Sequence, residues 1–459
     1  MSKLIKHLGV FFVIAIVVAA CAPASTQAPT VPATQPPTTA PTATTAPVAT
    51  TAPTTAATAP STGGNIDCKG ATASDTLTIV YEWSGNEQNQ FNAIVKPLTD
   101  ACGFKINATT TRDPAVLDTM VKSTPPDVLF WPDLSPLKLY SDKLQALDTV
   151  GADKTNYADF WVTMGTVNSK WLAIPAKVDV KSLIWYSPAR FTALGYTVPT
   201  TFADFQTLVD KMATDGNIPW STGLNNGGSA DGWPGTDFIQ DILLATKGPD
   251  YVNGIVAGTT PYNDQGVIDA YTLYQKWASD PKYTVGGANG SVTTPFLNAI
   301  YNVFGNPPQG MMVKQSGFAG GSIATQFPAL KYGTDYDFFP FPGLQGIQGG
   351  GDFMMAFSNS PAAQALVAYF TSATGGQNWA ANNFGLTPNK AGTGKYTDPL
   401  ELKLGDMLNS ATGFTFDIGD ALGAPFNDAE FKGVVSIVQG ANIKTTLDGI
   451  AAAQQQSIK

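Results

Sequence analysis

Between Leu77 and Phe130 the chain alternates β-rich runs with runs of helical period, and this alternation restricts the fold more than any other feature. Leu77 to Trp83 reads as a strand. Phe91, Ile94, Val95 and Leu98 then recur at helical spacing, Phe104 to Ala108 reads as a second strand, and Val116, Leu117, Met120 and Val121 mark a second helix. Pro125-Pro126 stops that helix before Asp127-Val128-Leu129-Phe130. Strands separated by helices pair in parallel and carry the helices on their faces, so the predicted class is α/β with mostly parallel sheets. Amphipathic helices recur at Phe202, Phe205, Leu208, Val209 and Met212, at Ile268, Tyr271, Tyr274 and Trp277, and at Ala362, Leu366, Tyr369 and Phe370. From Gly286 to Gly351 the Gly and Pro content predicts loops and crossings between lobes.

The N-terminal end predicts where the chain works. Lys3 and Lys6 precede an apolar run, Leu8 to Ala20, which is too short to cross a bilayer comfortably. Small residues then lead into Cys21, the layout of a secretory signal peptide. With cysteine at the cleavage point the segment resembles the lipobox of bacterial lipoproteins, whose thiol is lipidated. Residues 1–21 are therefore expected to export the chain and anchor it to the cell membrane through Cys21, a plain signal-anchor helix being the alternative. Ala22 to Gly64 has no charge and no aromatic residue, so it cannot bury enough apolar surface to order itself and is expected to be a disordered Thr/Ala/Pro tether. At about 3 Å per residue it reaches on the order of 100 Å. The rest, from about Asn65, is long enough for two lobes with their own cores.

Composition excludes several function classes. The chain has 26 basic and 35 acidic side chains, and losing Lys3 and Lys6 leaves 24 basic ones and a formal charge of −11. Such a surface repels phosphate backbones, so nucleic acid is not an expected partner. The single histidine, His7, lies in the signal segment, so the mature chain has no imidazole for a triad, a general base or a zinc site. Ser135-Pro136-Leu137-Lys138 matches S-x-x-K, but S-D-N and K-T-G are absent. No metal, cofactor or catalytic residue is expected. A glycosidase needs only two carboxylates, so it stays an alternative alongside a surface adhesin. The two cysteines besides Cys21, Cys68 and Cys102, would pair in an oxidising compartment, with two buried thiols as the alternative.

Ordered segments then carry a resemblance. Trp171-Leu172-Ala173-Ile174-Pro175, Ser182-Leu183-Ile184-Trp185-Tyr186-Ser187 and Pro199-Thr200-Thr201-Phe202-Ala203-Asp204-Phe205 resemble the central signature of family 1 extracellular solute-binding proteins, the ligand receptors of ABC importers. Glu82-Trp83-Ser84-Gly85, Pro126 to Pro132, Gly232-Trp233-Pro234, Met311 to Ser316, Asn378-Trp379 and Pro388-Asn389-Lys390 extend it in the same order over nearly the whole folded part. The cysteine placement and the Gly-Trp-Pro element resemble the α-glucoside-binding branch. The resemblance implies a two-lobed, periplasmic-binding-protein-like (type II) fold with a hinge and a central cleft. It also implies a monomer that captures a sugar and hands it to membrane permease subunits. The expected lobes are 65–178 with 350–392, and 179–349 with 393–459.

A neutral polyol needs flat apolar faces and fixed hydrogen-bond partners. The candidate ligand residues follow from that chemistry. Trp83 ends the first strand with Glu87 just beyond it, where parallel strands open onto a cleft; a core Trp and a Glu favoured by the helix dipole are the alternatives. Trp131 and Asp133 follow the third strand and resemble the aromatic–Asp pair of maltodextrin binders, although Asp133 could instead cap a helix. Lys177, Asp179 and Lys181 alternate on one face of the expected lobe crossing, and the alternative is a solvated strand face. Trp233 is expected on a Gly-rich loop before a helix at Asp237. Phe318 occupies a place where relatives keep an aromatic platform, and Asp352 precedes a strand unless it is only a turn residue. Asp417 and Asp420 are weaker candidates in a loop-like stretch.

Overall fold

A computed structural model of the chain describes residues 66–84, 86–111, 113–228 and 230–458. The expected signal peptide, Cys21 and the 22–64 tether lie outside the described residues. Through the described part run strands β1 Thr76–Tyr81, β2 Lys105–Thr110, β3 Val128–Trp131, β4 Thr166–Val167 and β5 Lys170–Trp171. These are followed by β6 Ala173–Val180, β7 Leu183–Tyr186, β8 Met312–Lys314, β9 Asp337–Pro340, β10 Ile347–Ala356 and β11 Phe414–Phe416.

The larger sheet has the order β11-β10-β3-β1-β2, with β6 also paired to β10. Its first part is as the alternation predicts, since β1 pairs in parallel with β2 and β3 across the helices Asn86–Cys102 and Pro114–Ser123. The expectation of mostly parallel sheets is corrected elsewhere. Strand β10 runs antiparallel to β3 and β6, and the smaller sheet, β8-β7-β9, is antiparallel throughout. The reason is topological: β6, β7 and β10 enter as crossing strands rather than through βαβ units.

The stretch from Gly286 to Gly351 is also more regular than its composition suggests. It holds helices Gly287–Thr293, Phe296–Phe304 and Phe318–Gln326 and three strands. Its last glycines belong to β10, where they serve close approach. A Cβ on Gly349 would lie 2.2 Å from the Asp179 carbonyl, and one on Gly351 would lie 2.4 Å from the Lys177 carbonyl. Only glycine lets β6 lie this close.

The apolar residues form two cores. One gathers Leu77, Ile79, Phe91, Phe130, Met354, Leu366 and Trp379 around the larger sheet. The other gathers Phe205, Met212, Trp220, Phe238, Tyr271, Trp277 and Val434 beside the smaller one. The first core reaches past residue 392, because Tyr396, Leu404, Leu408 and Phe414 pack into it. Cys68 and Cys102 form a disulfide with a Cα separation of 5.4 Å, tying the segment before β1 to the last residue of the first helix.

Candidate functional site

Strands β6 and β10 cross from one sheet toward the other, and the charged residues 177, 179 and 181, in β6 and just past its end, each meet a different element. Lys177 lies opposite Asp352 in the ladder, and its Nζ reaches Glu87 Oε1 at 2.6 Å and sits 4.8 Å from the Phe384 ring centre. The carboxyl of Asp179 is reached by water but walled by protein. Burial raises its pKa against the opposing Lys181 charge and hydrogen bonds from Ser316 and the Gly317 N–H. Lys181 turns into a buried charge cluster. On one side of this crossing a pocket of about 570 Å³ opens, lined by Lys177, Val178, Asp179, Phe318, Asn383, Leu386, Asp398, Leu400, Glu401 and Leu404 among others.

The predicted residues divide into two groups. Trp83 stands two residues beyond β1 and is fully buried, ringed by Tyr81, Phe91, Phe130, Trp379 and Phe384. Its Nε1 donates to Asp352 Oδ2 at 2.7 Å. Asp352 is buried too; burial raises its carboxyl, while Lys177 and the bonds from Trp83 and Glu82 oppose the shift. Trp131 closes β3 and is likewise buried. Both indoles are therefore packed in the core, the alternative given for Trp83, and neither presents a free ring face. Asp133 accepts from the Ser135 N–H at 2.6 Å, a local turn into the helix Ser135–Tyr140. Glu87, Lys177, Asp179 and Phe318 gather at the crossing, with Phe318 and the two β6 residues on the pocket wall. Phe318 is 40% exposed.

Trp233 is not on a loop. It is the first residue of the helix Trp233–Thr246, because Gly232 takes φ +113° and Pro234 fits the first turn. A Cβ at Gly232 would lie 2.4 Å from the Phe431 carbonyl, so the helix start is fixed by close approach as well. Half-buried Trp233 meets the rings of Phe296 and Phe318, at 5.3 and 6.3 Å between centroids. Each of these three aromatics opens its own helix.

Sequence reasoning singled out Lys181, Asp417 and Asp420 but missed that Asp237, Asp241 and Lys314 join them in one buried cluster. Lys181 Nζ lies 3.3 Å from Asp237 Oδ1, 3.0 Å from Asp417 Oδ2 and 3.5 Å from Asp420 Oδ2. Gln348 of β10 donates to Asp237 at 3.0 Å and to Asp417 at 3.1 Å. Lys314 of β8 sits 3.4 Å from Asp241 Oδ2 and 3.8 Å from Asp237 Oδ2, and Ser182 donates to Asp241 at 2.5 Å. Four carboxylates thus share two ammonium groups, with Asp237, Asp241 and Asp417 buried and Asp420 at the rim, 45% exposed, and the protons redistribute accordingly. Burial pushes Asp237 up to about 7 despite Lys181 and Lys314. Burial would raise Asp417 as well, but Lys181 and its hydrogen bonds outweigh that and hold it well below the usual range. Burial and the charge of Asp417 bring Asp420 up to about 6. A signal existed in the sequence: Asp241 lies inside the largely apolar run Phe238 to Leu244 and Asp237, four residues before it, opens that run, and both are buried.

A family model described as bacterial extracellular solute-binding protein matches residues 84–377. The alpha-glucosides-binding periplasmic protein AglE of Rhizobium meliloti (strain 1021) is 31% identical over 406 residues, covering 83% of this chain and 86% of that protein. The osmoprotective compounds-binding protein GgtB of Synechocystis sp. (strain ATCC 27184 / PCC 6803 / Kazusa) is 28% identical, covering 82% and 91%. Among solved structures, the bacterial solute receptor AcbH superposes with a TM-score of 0.69 at 18% identity, over 84% of this chain and 100% of that one, a likeness of fold.

Proposed function

The chain belongs to the bacterial extracellular solute-binding protein family, and on that footing we propose that it is the sugar-capturing subunit of an ABC importer. The observation that carries the reading is its similarity to AglE, an alpha-glucosides binder, along most of both chains. The pocket beside β6 supports it, since a flat ring, aliphatic walls and a few fixed carboxylates suit a neutral hydroxylated ring. In this reading the lobes, residues 65–178 with 350–392 and 179–349 with 393–459, close over the ligand, the stretch from Tyr396 to Phe414 packing on the first lobe's core. The hinge lies where the 178/179 and 349/350 boundaries fall inside β6 and β10. Glu87, Asp133, Lys177, Asp179, Trp233 and Phe318 line the ligand's path, while Trp83, Trp131 and Asp352 hold the floor from beneath. The mature protein works as a monomer, without cofactor or turnover, anchored through a lipid on Cys21.

The similarity to GgtB places osmoprotective compounds in the same test. A thermal-shift screen of the exported protein against α-glucosides, oligosaccharides and such compounds checks the reading. A ligand at 100 times its dissociation constant stabilises by about 2.7 kcal/mol. Chromatography of the incubated sugar should recover it intact, and appearance of shorter products would make the protein a glycosidase. No shift with any compound would remove the receptor reading.

A further inference from the structure

The pocket beside β6 holds a polar atom that nothing in the fold uses. Glu401, the third residue of the helix Pro399–Ser410, lines this pocket. Its Oε2 is buried and has no hydrogen-bond partner among the described residues. A buried carboxylate oxygen left unpaired is costly, so a site that keeps one is poised for a donor from outside the chain.

The other charged groups on the wall are already engaged. Lys177 reaches Glu87 at 2.6 Å. Asp398 caps its own helix, accepting from the Leu400 and Glu401 N–H groups at 2.8 and 3.1 Å. Asp179 takes bonds from Ser316 and the Gly317 N–H. Apolar wall surface is supplied by Val178, Leu386, Leu400, Leu404 and the half-exposed ring of Phe318. An anion would meet Asp179, Asp398 and Glu401 together, and Lys177 is already paired.

We propose that Glu401 is a ligand-binding residue whose carboxylate accepts hydrogen bonds from hydroxyls of a neutral sugar ring lying against Phe318. The inference rests on the sugar-receptor reading and adds to it the acceptor that orients the ring. A carboxylate offers both oxygens to neighbouring hydroxyls, whereas an amide or a protonated acid gives up one of them.

The proposal has a pH signature. Burial, with Asp398 on the same helix and Asp179 on β6 adding to it and Lys177 opposing, pushes Glu401 up to about 7. Tyr396 also faces this carboxyl, with Asp406 beyond it. Below neutrality Glu401 holds a proton and loses an acceptor, so affinity for a neutral sugar should fall between about pH 8.5 and 5.5.

Calorimetric titration of the exported protein with a sugar found in the screen tests this. Glu401→Gln should bind about ten- to a hundredfold more weakly at pH 8.5, the range of a lost bond to a charged acceptor. It should also melt no lower than the parent and lose the pH slope. A variant with parental affinity and slope would overturn the proposal while leaving the receptor reading standing. A flat profile in the parent would overturn it even if the variant fails to fold. An amine-substituted sugar binding tighter than its hydroxyl parent would overturn the neutral-ring assignment. A parent that binds no sugar removes the receptor reading and this proposal with it.

Discussion

Lys181→Met keeps most of a long apolar stem and deletes one charge from the buried cluster. In the parent the ammonium lies 3.3, 3.0 and 3.5 Å from carboxylate oxygens of Asp237, Asp417 and Asp420, with the side chain 17% exposed. Removing one partner of a buried ion pair costs about 3–5 kcal/mol, because it strands the opposite charge. Lys314 still stands 3.8 Å from Asp237, and Asp417 keeps Gln348 Nε2 at 3.1 Å, the Asp420 N–H at 2.9 Å and the Asp237 carboxyl. We therefore expect a loss near the lower end, about 3 kcal/mol at pH 8. The pH dependence has a defined sign. Asp417, held below its ordinary 3.8, adds stability above that value and loses it as pH falls through the depressed one. Without Lys181 that contribution disappears, so Asp417's share of the deficit is already complete above its ordinary value. Asp237 and Asp420, at about 7 and 6 in the parent, rise further, so the deficit should keep growing toward pH 8. Urea unfolding of parent and variant at pH 5 and pH 8 measures both numbers. A loss under 1 kcal/mol at pH 8, or an equal loss at both pH values, would show that Lys181 serves by packing and not by charge.

Three further outcomes are expected. Reducing the Cys68–Cys102 bridge opens a loop with a sequence separation of 34, and denaturant unfolding with and without reductant should differ by about 3–4 kcal/mol. Trp233→Ala and Phe318→Ala should weaken sugar binding about tenfold to a hundredfold by calorimetry; melting points that drop with affinity unchanged would assign these rings to structure alone. Cys21→Ser should release the protein from membrane fractions, and unchanged retention and processing would remove the lipid anchor.

The sequence was most legible where local chemistry decides the outcome. The helix Phe202–Thr214 is announced by Thr201, whose side chain accepts from the Asp204 N–H, and by apolar residues at helical spacing that all reach the core. The helix Pro114–Ser123 is similarly marked by Asp113 and Pro114. Legibility failed where a distant segment decides. The run Gly349-Gly350-Gly351 looks like a loop until β6 lies against it, since the requirement is for space next to a strand far away in the chain. Trp233 looks like a loop aromatic because Gly232 and Pro234 flank it, yet those same residues start a helix. Trp83 and Trp131 show the limit for site residues. Placement at strand ends was read correctly to within two residues, but strand position alone does not say whether an indole faces the cleft or the core.

The alternation of Lys177, Asp179 and Lys181 gives the molecule a property that no single contact supplies. Period-2 spacing was expected to put the three charges on one solvated or ligand-facing surface. Instead each is held by a different part of the chain. Lys177 pairs with Glu87 on the first helix, Asp179 meets Ser316 and Gly317 beside Phe318, and Lys181 enters the cluster with Asp237 and Asp417. Within the five positions 177–181, then, at the end of β6 and just past it, stand a residue tied to the larger sheet's helix, a residue on the pocket wall and a residue tied to the helix Trp233–Thr246. In the proposed two-lobed reading, a rotation of one lobe against the other would bend this strand and β10, and so would move Asp179 relative to both lysines. On that reading, ligand contact at the pocket would be coupled to the geometry of the crossing through a backbone that Gly349 and Gly351 hold in close register. That coupling is what a receptor needs if a bound ligand is to favour the closed arrangement, because a ligand shifts a conformational equilibrium only as far as it binds the two states differently.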